Sequence, residues 1–336
     1  MKLNISNIKY GTLLALLSLG LNACDYIHED LEPCDHYLHF SYTYNMKQAD
    51  AFVPEMSNQS TDKQVDLFIY DADGKYLSSQ TVAGEELRRN RVRLNLPPGD
   101  YRLLAWAGLN ETDYEWTKPA VGESLADWQM AVKTAIDNRV ARELLGLFQG
   151  QLKLTIPAGG ETDTEFPLVK NTNKIRIALI DANSGTGLQT DDFTIRAVTR
   201  NRDLDADNQP LTTDRAVTWA PYLQRLETVD ASDGTTAMQA VVAELNTLRL
   251  LDDTNTSLTL THRGETTPFL DVDLTDFLLL TKMESHDMEA QEYLNRQDEY
   301  AIVIYLDLAG GKAHCLEILV NDWTIRLDDV NLGKEE

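Results

Sequence analysis

Positive charge is what this chain has least of. Its 336 residues carry 54 acids against 30 lysines and arginines, a net charge of −24. Such a balance repels a phosphate backbone and leaves no basic stripe to drive counterion release, so nucleic acid is not expected as a partner. Cysteine is scarce as well: three residues are too few for a disulfide framework, and no CxxC pair or Cys/His cluster is present to hold zinc. With 18 glycines, 10 prolines and 43% hydrophobic residues, the chain is too apolar and too poor in breakers for general disorder. Its length allows two domains of ordinary size.

Catalytic signatures are missing too. There is no GxSxG elbow, P-loop or GxGxxG, and Gly185-Thr186-Gly187 lacks the third glycine. None of the six histidines, His28, His36, His39, His262, His286 and His314, stands in HExxH, and His36-x-x-His39 has no acid at metal-ligand spacing. No nucleophile, base or metal set emerges, so an enzyme is the least supported class and no cofactor is expected.

What is present begins with an address. Lys2 and Lys9 precede a short apolar run from Gly11 to Leu21 that ends in Leu21-Asn22-Ala23-Cys24. This is the tripartite form of a secretory signal, about half the length a membrane-spanning helix needs. Leu-x-Ala-Cys resembles a bacterial lipobox, which makes Cys24 the lipidated first residue of the mature chain and residues 1–23 the signal peptide. Removing those residues takes away two lysines and no acid, so the exported part is more acidic still. Acyl chains hold a protein on a membrane without basic help, at about 0.8 kcal/mol per buried CH₂. Residues 24–35 include Asp25-Tyr26-Ile27-His28-Glu29-Asp30-Leu31-Glu32-Pro33, which has no apolar period and reads as a solvated tether. Acids just after the cysteine also resemble the surface-export signal of Bacteroidales lipoproteins, and a plain charged linker accounts for them equally well.

From Tyr37 onward the dominant pattern is alternation over short runs, the strand period. Val92, Leu94 and Leu96 alternate with Arg91, Arg93 and Asn95, Pro97-Pro98-Gly99-Asp100 marks a turn, and Tyr101 to Ala107 is apolar on both faces. Asp71-Ala72-Asp73-Gly74 between Leu67-Phe68-Ile69-Tyr70 and Lys75-Tyr76-Leu77 predicts a β-hairpin with Gly74 at positive φ. A short helix is expected at Ser124 to Thr134, capped by Ser124, and helical insertions at Asp276 to Met283 and Met288 to Glu299. Strands are expected at Leu152–Ile156, Lys174–Ile180, Thr194–Val198, Met238–Val242, Ser257–Thr261, Tyr300–Leu308 and Cys315–Val320. The fold class is mainly β, two β-sandwich domains at 36–157 and 161–336, with the boundary at Pro157-Ala158-Gly159-Gly160-Glu161.

Three constellations are candidates for chemistry. Asp203, Asp205 and Asp207 begin like a calcium loop, with Asp214 at its twelfth position, but Asn208 stands where glycine is wanted and the flanks look like strand; a solvated acidic loop is favoured. Cys34 and Cys315 are a possible disulfide in an oxidising compartment, or two small apolar residues. Trp106 and Trp323 lie in strand-like runs, whereas Trp116, Trp128 and Trp219 lie in or near loops, where exposed aromatics would hold sugar faces; scattered core and rim positions are the commoner arrangement.

An ordered set of short motifs then stands out: Cys24, Cys34, Phe40-Ser41-Tyr42-Thr43-Tyr44-Asn45, Asp71-Ala72-Asp73-Gly74-Lys75-Tyr76 and Leu96-Pro97-Pro98-Gly99-Asp100-Tyr101 with Trp106-Ala107-Gly108. It continues through Phe148-Gln149-Gly150 and Asn171-Thr172-Asn173-Lys174-Ile175 to Val320-Asn321-Asp322-Trp323. The set resembles the FimB-like fimbrial lipoproteins of Bacteroidales type V pili over nearly the whole mature chain. The resemblance implies two transthyretin-like β-sandwiches and a lipid-anchored outer-membrane protein that terminates a fimbrium, sets its length and joins a shaft subunit by strand addition. In the related shaft subunits an arginine-specific protease removes the lipidated segment. Here the first arginine is Arg88, so the first strand should stay attached. Trp323, Ile325 and Leu327 fall on one face of a candidate donated strand, with a final strand of the protein's own domain as the equal alternative. A glycan-binding surface lipoprotein and a fimbrial tip adhesin remain the rival classes.

Overall fold

The computed structural model describes residues 35–42, 63–183, 187–212, 215–230, 237–282, 288–321 and 323–325. The first half contributes β1 (His36–Ser41), β2 (Gln64–Asp71), β3 (Tyr76–Ala83), helix α1 (Gly84–Arg89), β4 (Val92–Leu94), β5 (Gly99–Ala107), β6 (Tyr114–Trp116), β7 (Gln129–Val132), β8 (Arg139–Val140), β9 (Phe148–Ile156), β10 (Thr162–Pro167) and β11 (Val169–Lys170). The expected hairpin joins β2 to β3. Gly74 takes φ +76°, and Asp71 Oδ1 accepts from the backbone N–H groups of Asp73 (3.0 Å) and Lys75 (2.8 Å). The alternation from Arg91 to Leu96 holds, with Val92 and Leu94 inside and Arg91 and Arg93 outside.

These strands form a sandwich of a three-stranded sheet, β10-β1-β4, over a five-stranded sheet, β11-β9-β5-β2-β3. Leu38 and Phe40 of β1 meet Val65, Leu67 and Ile69 of β2 and Leu103, Ala105 and Ala107 of β5 in its core. The opposite face of β2 and β5 is equally apolar: Phe68, Tyr70, Leu104 and Trp106 pack with Trp128, Met130, Val132 and Tyr114 from the segment between β5 and β9. Trp106 and Trp128 stack with centroids 5.1 Å apart.

The second half supplies β12 (Thr172–Asp181), β13 (Phe193–Thr199), β14 (Asp203–Asp205), β15 (Val217–Trp219), β16 (Leu223–Asp230), β17 (Ala237–Leu248), β18 (Ser257–His262), β19 (Leu270–Val272), helices α2 (Leu274–Leu279) and α3 (Ala290–Arg296), β20 (Glu299–Asp307), β21 (His314–Val320) and β22 (Trp323–Ile325). A six-stranded sheet, β16-β17-β12-β20-β21-β22, faces a five-stranded one, β19-β18-β13-β15-β8. Ile175, Ile177 and Leu179 of β12 and Ile302 and Ile304 of β20 share their core with Ile195, Leu258, Leu260 and Trp219. The chain is mainly β, as read from its alternation.

Two expectations are corrected. Pro157 to Glu161 is the turn between β9 and β10, and β10 returns to pair in parallel with β1, His36 opposite Thr162. The change of sandwich comes later, where Asn171 alone separates β11 from β12. The helix expected at Ser124 to Thr134 is one 3₁₀ turn, Leu125–Asp127, in which Ser124 Oγ accepts from Ala126 N. Met130 and Val132 then alternate into the core as β7, which pairs with β6 and β14, so sheet pairing overrides the cap signal. The later helices are also shorter than expected; α2 starts where Asp273 caps the N–H of Asp276 at 3.0 Å.

The halves are cross-stitched. β8, from the first half, pairs with β15, and β14, from the second, pairs with β7. Polar groups complete the junction. Asn171 and Asn208 exchange side-chain amide bonds of 2.6 and 2.9 Å, and Asn208 adopts φ +62° to do so. Gln149 donates to Ala206 O at 2.7 Å, and the buried Arg249 bonds Asn208 O and Asn295 Oδ1. Lys170 and Asp298 pair at 2.6 Å, both side chains at most 10% exposed.

Two motif glycines answer to close backbone approach. A Cβ on Gly108, which has φ +89°, would lie 2.3 Å from Gly146 O, and one on Gly150 would lie 2.5 Å from Pro167 O. Gly108→Ala and Gly150→Ala are each expected to lower unfolding free energy by more than about 1 kcal/mol, read as a fall in urea midpoint at constant m. Lys170→Met should cost about 3–5 kcal/mol by taking the ammonium away from the buried Asp298 carboxylate, and adding Asp298→Leu should restore a large part of that loss in the same assay.

Candidate functional site

The point where the fold meets its N-terminal segment is β1, and this strand is held from both sides and from within. It runs parallel to β10 over six register pairs, from His36↔Thr162 to Ser41↔Pro167, and antiparallel to β4 over three. Leu38, Phe40 and Tyr42 are fully buried. Phe40 packs on Phe166 with centroids 5.7 Å apart, and Tyr42 meets Phe148 edge-on at 5.4 Å. Asn90, the left-handed residue that ends α1, clasps β1 near its C-terminal end: its Oδ1 accepts from Phe40 N at 2.9 Å and its Nδ2 donates to Phe40 O at 2.6 Å.

Polar side chains fix the register. His36 Nδ1 lies 2.8 Å from Thr162 Oγ1, Ser41 Oγ donates to Glu165 Oε1 at 2.6 Å, and His39 Nδ1 lies 3.0 Å from Asp163 Oδ1. At the strand entrance Arg93 pairs with Asp35 at 2.5 Å, and the Arg91 guanidinium sits 3.5 Å over the Tyr37 ring. Sequence reasoning found the strand but not its partner, because β10 is a polar, alternating stretch with no apolar run to announce it.

Cys24 and Cys34 lie outside the described residues. Cys315 is partly buried on β21 against the larger core, and burial pushes its thiol up to about 11. Arg88 and Arg89, the first arginines, are paired with Glu85 in α1. A chain cut there would lose β1, β2 and β3 together. Of the candidate donated segment, the backbone of Trp323 to Ile325 is described. It is β22, paired with β21 in the register Val320↔Trp323 and Ile318↔Ile325 at one end of the six-stranded sheet. Leu327 lies beyond the described residues.

Three of the four calcium candidates are described, and each is engaged by its own neighbours, Asp203 by Arg202 at 3.8 Å. Asp203 and Asp205 belong to β14; Asp205 Oδ1 accepts from Gln209 N at 2.9 Å, and Asp207 Oδ1 accepts from Gln151 at 2.9 Å. Among the described residues no three His, Cys, Asp or Glu side chains form a metal-holding group, and Asp214 is not described. Asn208, which breaks the calcium pattern, is the partner of Asn171.

The tryptophans divide differently from the sequence expectation. Trp128 and Trp219 are as buried as Trp106, and Trp219 Nε1 donates to Thr199 Oγ1 at 2.9 Å. Trp116 alone of these four is partly exposed, under Lys118 and beside a recess of about 380 Å³. No helix among the described residues is long and apolar enough to cross a membrane.

Residues 31–329 match the family model of the fimbrillin-A associated anchor proteins Mfa1 and Mfa2. Among solved structures, a "putative adhesin" from Bacteroides thetaiotaomicron is 28% identical with a TM-score of 0.74, covering 88% of this chain and 99% of that one. Another from the same organism, described among "putative polysaccharide binding proteins", is 27% identical with a TM-score of 0.74, over 87% of this chain and 98% of that one. The fimbrial anchor protein Mfa2 from Porphyromonas gingivalis shares the fold at 15% identity, with a TM-score of 0.63 over 87% of this chain and 99% of that one. No curated protein matches.

Phe40→Ala removes a fully buried ring from β1 and should lower stability by about 3–5 kcal/mol in urea denaturation. If β1 were peripheral to the fold, the loss would stay below about 1 kcal/mol.

Proposed function

The chain belongs to the family of fimbrillin-A associated anchor proteins, and from that premise we propose that it is an outer-membrane lipoprotein which anchors and terminates a fimbrium, limiting its length. Lipid on Cys24 holds it to the membrane, the acidic residues 24–35 span the interface, and the two sandwiches meet the shaft subunit by strand addition. The observation that carries this reading is the position of β1. It follows the tether directly, is the central strand of its sheet, and is preceded by no arginine. An arginine-specific protease therefore has no site at which to free the strand alone. Retention of β1 favours an anchor over a shaft subunit, whose groove must be opened for the next strand.

Two rival readings have specific support. The description of the 27%-identical relative favours a glycan-binding surface lipoprotein, and Trp116 beside its recess is the aromatic position that fits it; Trp219 does not, being buried. The "putative adhesin" relatives favour a place at the fimbrial tip. Imaging the labelled protein at the base or the tip of fimbriae separates anchor from adhesin. Loss of binding on a glycan array in Trp116→Ala, with attachment of fimbriae unchanged, would favour the glycan reading.

The anchor reading is tested by purifying the outer membrane. The mature chain is expected to begin at an acylated Cys24 and to bring pilin subunits with it, whereas Cys24→Ser should release both from the membrane fraction. Chains that begin after an internal cleavage, recovered within assembled fimbriae, would sink the assignment. Deleting Asp322 to Glu336 addresses strand addition: loss of fimbrial attachment at an unchanged unfolding midpoint supports donation by this segment, and unfolding marks β22 as part of its own sheet.

A further inference from the structure

The five-stranded sheet of the second sandwich turns a polar face outward, and one corner of it is a cleft of about 530 Å³, within the usual size range of a small-ligand site, roughly 300–1,000 Å³. Arg139 on β8 and Arg196 on β13 line it together with Thr194, Thr218 and Asp137. Register places the two arginines on the same face. Thr218 pairs with Arg139 on one side and Val198 on the other, and Arg196 stands two residues from Val198. Strand spacing sets their Cα atoms roughly 12 Å apart, close enough for two long side chains to reach one ligand. The far wall is fixed, since the Gln224 amide bonds the carbonyls of Thr190 and Phe193.

What sets this corner apart is that two exposed arginines line one cleft. Arg88, Arg91, Arg142, Arg176, Arg225 and Arg263 are all ion-paired. Among the described residues neither Arg139 nor Arg196 has an ion pair or a side-chain hydrogen bond, a state they share with Arg102, Arg200 and Arg215 although acids outnumber bases 54 to 30 in the chain. Two exposed guanidiniums sharing a cleft, neither ion-paired to the Asp137 that also lines it, form a fork for a carboxylate. Asp137 and the two threonines add acceptors and hydroxyls, which suit a ligand bearing its own hydroxyl groups. A dense polyanion is disfavoured both by Asp137 inside the cleft and by the net charge of −24. A second recess of about 390 Å³ shares Asp137 and Arg139 with the first and reaches Arg142, so the two adjoin at these residues.

We propose that this cleft binds an acidic oligosaccharide, with Arg139 and Arg196 gripping the carboxylate of a uronate unit. The proposal does not depend on the anchor reading, nor on the recess at Trp116. Trigalacturonate and a hyaluronan tetrasaccharide, titrated calorimetrically into the full chain, are the probes, with methyl-esterified trigalacturonate, inorganic phosphate and hexaglutamate as comparisons. At least one of the two uronate probes should bind saturably and the ester should not. Arg139→Gln and Arg196→Gln should each weaken binding by about tenfold or more, with the thermal midpoint unchanged because both side chains are exposed. Absence of binding by both uronate probes, affinity unaltered in both variants, or equal affinity for phosphate or hexaglutamate would overturn the proposal.

Discussion

Two neighbouring strands, β2 and β5, are apolar on both faces, and the surrounding architecture follows from the need to cover both. One face is covered by β10-β1-β4, which completes an ordinary sandwich. The other carries Phe68, Tyr70, Leu104 and Trp106, and leaving such side chains in water would forfeit about 1.5–3 kcal/mol each. The stretch between β5 and β9 supplies the cover. It is a packing layer, with Trp128, Met130 and Val132 turned onto the sheet. Having packed there, it continues as β8 into the second sandwich. The apolar cluster that starts on the outer face of the first sandwich therefore runs without a break into the core of the second.

Apolar cover alone would tolerate several dockings of one sandwich on the other. The polar groups at the junction remove that freedom. Asn171, Asn208, Gln149 and Arg249 are buried, and each would cost about 1–3 kcal/mol if its partner moved away. Their partners lie on different elements: the amide of Asn171 needs Asn208, and Arg249 needs both Asn208 O and Asn295. Only an arrangement that satisfies all of them at once is low in energy. The short run Asn171-Thr172-Asn173 is polar in sequence and buried in the fold: Asn171 meets Asn208 and Thr172 accepts from Leu147 N at the junction, while Asn173 donates to Leu248 O on the neighbouring strand β17.

Much of this was legible in advance where the signal is local. Alternation marked β4, the Asp-Ala-Asp-Gly turn marked the β2–β3 hairpin, and Tyr101 to Ala107 announced a strand buried on both faces. Local signals failed where a distant partner decides. Ser124 caps as its side chain predicts, yet pairing with β6 and β14 turns the following residues into strand. Pro157 to Gly160 has linker composition, but the parallel return of β10 to β1 makes it an internal turn. Arg139 and Arg196 are 57 positions apart and face one cleft only because β8 joins β15 in parallel, a pairing that nothing near either residue encodes. Trp219 sits at the start of a loop in sequence and at the centre of a core in space, its indole N–H satisfied by Thr199.

The double-sided hold on β1 has a mechanical consequence. Ladder hydrogen bonds run across strands, so a pull along β1 from its N-terminal side loads its bonds to β10 and β4 in shear, many at once, whereas an edge strand peeled from one end yields one bond at a time. Phe40 and Tyr42 add resistance, since sliding the strand by one residue would drive its buried side chains to the wrong face. Asn90 works as a latch beyond the β4 pairing, bonded to both the N–H and the C=O of Phe40. A chain tugged from its N-terminal side is thus gripped where the fold can bear tension.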